Sequence, residues 1–180
     1  AFRQRLEELG YKLGEAEINH AFERFKKLAD QKKEIFEEDL EVIVSEELSK
    51  MGERIGLKGL QVSSGTDRVP TATVELEIDG TRIVQTGTGD GPVDAVYRTI
   101  AAMTQTKSKL LMYGVKAITG GTDAQGEVSV RVQEDGRTVT GHGADTDIIT
   151  ASARAYISAL NKLAYLGTKQ AQGEQKVNLI

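Results

Sequence analysis

Three short runs carry the residues whose types and spacing could do chemistry. The first, Thr86-Gly-Thr-Gly-Asp-Gly-Pro92, places glycines at 87, 89 and 91 just ahead of a proline. Proline suits the first position of a helix, where its missing N–H costs nothing. Glycines let a ligand approach the backbone closely, and free N–H groups at a helix start favour an anion. The dinucleotide-binding fingerprint fails, because Pro92 stands where its last glycine belongs. The run therefore reads either as a well-capped turn or as a site for a small carboxylate. The second run, Gly121-Thr-Asp-Ala-Gln-Gly126, has P-loop glycine spacing, but Glu127 and Val128 replace the lysine and hydroxyl residue. Asp123 and Glu127 would repel phosphate, so this is a loop between strands that lines a pocket. The third, Asp145-Thr-Asp147, stands near His142. These residues are too few to hold a cation, and a carboxylate here is expected to cap the following helix. His20 lies beside an apolar stripe and has a packing or solvent-facing role. Cysteine is absent, which excludes disulfides, thiolate metal sites and cysteine nucleophiles.

The elements that must position these runs change character along the chain. Of 50 charged residues, 25 fall in residues 1–58, which hold only 4 of the 19 glycines. The shift predicts a boundary near Gly56–Gly59. Before it, Phe2, Leu6 and Leu9 form a short stripe closed by Gly10. Ile18, Ala21, Phe22, Phe25 and Leu28 follow a helical period, as do Leu40, Ile43, Val44 and Leu48, with Asp39 as the N-cap. The net charge of −4 and the lack of a basic patch argue against nucleic acid. No apolar run approaches the ~18 residues of a membrane-spanning helix, and Ala1 opens no signal peptide, so a cytoplasmic protein is expected.

Beyond the boundary the period becomes two. Thr71–Ile78 alternates, Asp79-Gly80 turns, and Thr81–Val84 resumes. Glu127–Val132, Asp135-Gly136 and Arg137–Thr140 repeat that pattern, and Leu60–Val62 and Met112–Ile118 supply a preceding strand in each case. A helix follows each hairpin, one over Val93, Val96, Tyr97, Ile100 and Met103, the other over Ile148–Leu163. Tyr97, Tyr113 and Tyr156 take core-facing positions. The two Asp-Gly turns are 56 residues apart, and the same offset aligns Val74 with Val130, Gly87 with Gly143 and Val93 with Ile149. This is an internal repeat of a βββα unit. The fold class is α+β: a helical part over 1–56, units over 57–106 and 107–166, and a polar, flexible tail over 167–180. A helix covers one face of each sheet, so the repeat predicts that the other face is apolar and needs a partner.

Five spaced runs carry a resemblance: Leu60–Gly65, Pro70–Val74, Gly89–Ala95, Gly120–Gly126 and Gly143–Ile149. Together they resemble the C-terminal regulatory domain of bacterial 2-isopropylmalate synthases. Ala1–Leu13 and Ala21–Phe25 are similar to the helical linker that joins that domain to a catalytic barrel. The resemblance implies two βββα units related by a pseudo-twofold, a homodimer, and leucine bound between the units as feedback inhibitor. It places Gly89, Asp90, Gly91, Pro92 and Val93 at the backbone end of the ligand. It places Tyr113, Ala117, Ala124, Gln125, Gly126 and Ile148 around the ligand's side chain. The parent enzyme would condense acetyl-CoA with 2-oxoisovalerate in a barrel of ~250 residues that uses a divalent metal. Neither the barrel nor the metal-binding histidine pair is in this sequence, so this chain is expected to need no cofactor and to be inactive alone. Citramalate synthases share the domain, which keeps isoleucine as an alternative effector, and a dimerisation module without ligand response is a second alternative.

Overall fold

A computed structural model describes residues 2–32, 34–48, 52–117 and 125–178, with side chains described through 167. Three helices come first: α1 (Phe2–Glu8), α2 (Glu15–Gln31) and α3 (Glu37–Leu48). Helix α1 ends at Gly10, whose φ of +93° continues neither helix nor strand. The Tyr11 N–H reaches Leu6 O at 2.9 Å and the Gly10 N–H reaches Glu7 O at 3.0 Å, the paired closure of a Schellman turn. Phe2 packs on Phe22 and Phe25 with ring centroids 5.3 and 5.2 Å away, which ties α1 to α2. Asp39 is not the N-cap of α3, because the helix begins two residues earlier. Its carboxylate instead reaches back to the Phe36 N–H at 3.0 Å, the role of the third helical residue in a capping box. That bond and the Lys32 ammonium hold the Asp39 carboxyl below its ordinary range.

The βββα repeat follows. Strands β1 (Ile55–Gly65), β2 (Arg68–Ile78) and β3 (Thr81–Thr88) form one antiparallel sheet in that order, followed by α4 (Pro92–Thr104). Strands β4 (Lys109–Ala117), β5 (Gly126–Glu134) and β6 (Arg137–Asp145) form the second, followed by α5 (Ile148–Asn178). Both hairpins turn as expected, with φ near +50° at Asp79 and Asp135 and +84° and +75° at Gly80 and Gly136. Strand β1 starts at Ile55, one residue before the expected boundary, and a bulge between Leu57 and Gly59 interrupts the alternation there. The backbone of α5 is helical to Asn178, whereas the sequence carries no helical period past Thr168.

Alternation sorts the side chains. Ala72, Val74 and Leu76 of β2, and Val128, Val130 and Val132 of β5, are fully buried under the helices. Helix α4 lies on β2 and β3, α5 lies on β6 and β5, and the two helices meet where Tyr97 packs on Tyr156. The opposite face of the first sheet is not the apolar surface expected from the repeat. Thr71, Thr73, Glu75 and Glu77 stand there on β2 beside Thr86, Val84 and Arg82 of β3, and Arg82 and Lys58 pair with the glutamates. A face already covered in charge can be left in water. The longest run of exposed apolar residues lies on edge strand β4 (Leu110, Leu111, Met112, Tyr113 and Val115), where α5 leaves the helix side of Tyr113 and Val115 uncovered and Met112 stands on the opposite face.

Glycines at the helix–strand contacts set how closely α5 approaches. A methyl group at Gly143 would come 2.6 Å from Ala155 N and would overlap Ala151 O, both backbone atoms that cannot rotate away. Gly143→Ala is therefore expected to cost about 1–3 kcal/mol. Calorimetry should record a melting midpoint several degrees lower, and an unchanged midpoint would refute this close packing.

Candidate functional site

The repeat sets two helix starts side by side for comparison. At the second, Asp147 caps α5: its carboxylate accepts the Ile149 N–H at 3.1 Å and the Thr150 hydroxyl at 2.8 Å. Asp145 in turn accepts the Asp147 N–H at 2.9 Å. Removing this cap by Asp147→Ala is expected to cost about 1 kcal/mol, measured as a shift in the urea midpoint. The position equivalent to Asp147 in the first unit is Gly91. It caps α4 with no side-chain hydrogen bond and is followed by Pro92 as the first helical residue. A Cβ added at Gly91 would meet nothing within 4 Å, and its φ of −157° suits any residue. At Gly89, by contrast, a methyl group would lie 2.7 Å from Ala95 Cα, so that glycine is required by packing. Asp90 and Asp94 flank the start, and Arg98 pairs with both, at 3.3 and 2.8 Å.

The other residues singled out in the sequence fall in the second unit. Tyr113, Val115 and Ala117 point to the helix side of β4, with Ala117 paired to Gly126 and Tyr113 to Val130. Gly126 leaves room for Ile148, whose Cγ1 would lie 3.3 Å from any Cβ added there. Tyr113, Ala117, Gly126 and Ile148 therefore share one end of the second sheet beside the start of α5. Gln125 is exposed, and Ala124 and the run 121–123 lie outside the described residues. The tyrosine hydroxyls organise this region. Tyr97 on α4 donates to Ser152 O at 2.7 Å, and Tyr113 lies 2.7 Å from Ser152 Oγ, which itself donates to Ile148 O. Tyr97 and Tyr156 are buried, as expected, and burial pushes the Tyr156 hydroxyl above its ordinary range. Tyr113 is 37% exposed, because it stands on the strand that α5 leaves uncovered. The Gly89–Val93 run approaches this group through Tyr97, whose ring lies 6.1 Å from that of Tyr113.

A second polar cluster gathers His142 and Glu127 with residues distant in sequence. Glu41 of α3 accepts the Tyr11 hydroxyl at 3.0 Å and lies 3.1 Å from His142 Nε2 on β6. His142 Nδ1 lies 2.9 Å from Ser129 Oγ and 3.4 Å from Glu127 Oε1 on β5. Lys162 of α5, 3% exposed, donates to Thr140 O at 2.6 Å and to the Tyr11 hydroxyl at 3.3 Å. Burial lowers the Lys162 ammonium to about 8, against the opposing pull of Glu41. Burial alone would raise the Glu41 carboxyl, but His142, Tyr11 and Lys162 outweigh it and hold the group below its ordinary range. Tyr11 and Glu41, Glu41 and His142, and Tyr11 and Lys162 lie 30, 101 and 151 residues apart in sequence, and no local spacing signals them. His20, meanwhile, is exposed.

Two βββα units meet along their helices, and the helical segment is seated on the second. The LeuA allosteric (dimerisation) domain family matches residues 34–164, and the chain belongs to that family. It is 49% identical over 177 residues to the 2-isopropylmalate synthase of Heliobacterium modesticaldum, covering 98% of this chain and 35% of that protein. It is 51% identical over 166 residues to the synthases of Gloeobacter violaceus and Syntrophus aciditrophicus, covering 92% of this chain and 31% and 32% of theirs. The chain thus spans about a third of the length of the curated relatives it matches. Among the described residues, no helix is long and apolar enough to cross a membrane.

Proposed function

We propose that this chain is the leucine-sensing, dimerising part of a 2-isopropylmalate synthase and carries feedback inhibition to a catalytic barrel. The observation that carries this reading is the inequality of the two helix starts. Asp147 caps its helix by accepting the Ile149 N–H, while Gly91, with no capping side chain, leaves the equivalent position open to the carboxylate of an amino acid. The helix start contributes roughly 0.3–1 kcal/mol, or up to ~2 when partly buried. Burying an isobutyl group among Tyr113, Ala117, Gly126 and Ile148 adds about 1.5–3 kcal/mol. With several hydrogen bonds of ~0.5–1.5 kcal/mol each the favourable terms reach about 11 kcal/mol at most, and after an association cost of about 4 kcal/mol or more the affinity is micromolar at best. Because the apolar share is as large as the polar one, alanine and glycine should bind far more weakly. Titration calorimetry with leucine and isoleucine tests the reading. Heat from leucine supports it, heat from isoleucine alone points to the citramalate synthase relative, and no heat from either leaves a dimerisation module.

The exposed apolar residues of β4 supply a surface for a second copy. Light scattering should return a mass near twice 19.5 kDa at micromolar concentration, and a mass near 19.5 kDa would remove the homodimer. In the parent enzyme, the condensation of acetyl-CoA with 2-oxoisovalerate and its divalent metal belong to the barrel. This chain alone is expected to release no thiol from acetyl-CoA.

A further inference from the structure

We infer that the contact between His142 and Glu41 couples effector binding to the helical part of the chain, and the inference rests on the leucine site proposed above. The anchorage of the helices is one-sided. Arg131 donates to Glu8 O at 2.9 Å, Thr140 Oγ1 donates to Leu9 O at 2.9 Å, and Lys12 and Thr138 exchange backbone hydrogen bonds at 2.8 and 3.2 Å. With the Glu41 cluster, these bonds tie residues 8–12 and α3 to β5, β6 and α5, all in the second unit. The proposed effector, in contrast, straddles both units. A ligand that draws the Gly89–Val93 run toward Tyr113 and Ile148 therefore shifts one unit against the other, and the helices travel with the second.

Strand geometry carries that shift to the contact between His142 and Glu41. Successive residues of β5 point to opposite faces. Gly126 faces Ile148 on the effector side, and its neighbour Glu127 faces His142 on the other. His142 stands between Glu127 of β5 and Glu41 of α3 and is braced by Ser129. The segment after α1 is held through backbone atoms of residues 8–12 and through the Tyr11 hydroxyl, and Glu41 is the residue through which α3 joins this network. Displacement at Gly126 thus reaches Glu41 of α3 through the His142 imidazole, beside the separate tie that runs from Lys162 through the Tyr11 hydroxyl.

Coupling is reciprocal: if leucine changes the geometry at His142, loosening that contact must change leucine affinity by the same factor. The chain holds two histidines, and exposed His20 serves as the internal control. The experiment is leucine titration of the intact chain at fixed pH, followed by calorimetry and by the imidazole proton resonances, with Glu41→Gln measured in parallel. The expected result is movement of the His142 resonances that saturates with the calorimetric isotherm while those of His20 stay still. Glu41→Gln should change the leucine Kd about five-fold or more. Calorimetric binding with unmoved His142 resonances and an unchanged Kd in Glu41→Gln would overturn the coupling and leave the site standing. Absence of leucine binding by the unmodified chain would overturn the site and the coupling with it.

Discussion

Replacing Gly91 with valine is expected to abolish leucine binding and leave the domain folded. A Cβ at 91 meets nothing within 4 Å, and the extended backbone there, with φ −157° and ψ 175°, is one that valine adopts readily. Glycine contributes no capping side chain at this position, so the cost to the fold is about 1 kcal/mol or less. The branched side chain would instead occupy the space in front of the α4 N–H groups, where the carboxylate of the effector must sit. Loss of the helix-start interaction and its hydrogen bonds takes a micromolar ligand beyond millimolar. Calorimetry and circular dichroism on the same sample separate the outcomes. A folded variant that binds leucine normally removes the site from this loop, and an unfolded variant makes the loop structural. Gly89→Val is the contrasting control, since the backbone of Ala95 blocks any side chain there and the variant should fail to fold.

The second large effect concerns Lys162 and the alkaline side of the stability curve. Its native value is depressed from 10.5 to about 8 by burial, so between those limits the unfolded chain binds more protons than the native one. Stability must then rise with pH across that window, by at most about 3 kcal/mol. Above pH 10 the sign reverses. Burial holds the hydroxyls of Tyr11, Tyr97 and Tyr156 above their ordinary value, so they keep protons that the unfolded chain releases. On the acid side the depressed Glu41 carboxyl contributes stability that is lost as pH falls through its native value. Lys162→Met removes one titrating group at similar length. The rise in urea midpoint between pH 8 and 10 should vanish in the variant and persist in the unmodified chain. Parallel curves for the two proteins would show that Lys162 is not the source.

What the sequence reveals of this fold tracks the range of the forces involved. The Asp-Gly turns, the alternation of Thr71–Ile78 and Glu127–Val132, and Pro92 at the head of α4 are local features, and each element stands where its local pattern puts it. The 56-residue offset doubles every such signal and makes the two units visible as a pair. Strand β1 is only partly legible, because Gly56, Lys58 and Gly59 break the alternation at the bulge. The partial exposure of Tyr113 is not legible either, since it depends on which strands α5 covers. The cluster of Tyr11, Glu41, His142 and Lys162 is invisible for the same reason: each residue taken singly reads as an ordinary polar side chain on a helix, strand or loop. Of the candidate site, its glycine-rich half is readable from composition. The half on β4, β5 and α5 rests on the family resemblance.

The one-sided anchorage of the helices also orders events during synthesis. Glu8 waits for Arg131 across 123 residues, and Leu9 waits for Thr140 across 131. At about 5–20 residues per second, that stretch of chain takes a ribosome on the order of ten seconds to make. Throughout that interval the apolar stripe of α3 is made but its partner helix α5 is not. Residues 8–12 and α3 are thus made well before the strands and helix that seat them, and the apolar stripe of α3 is open to other chains in the interval.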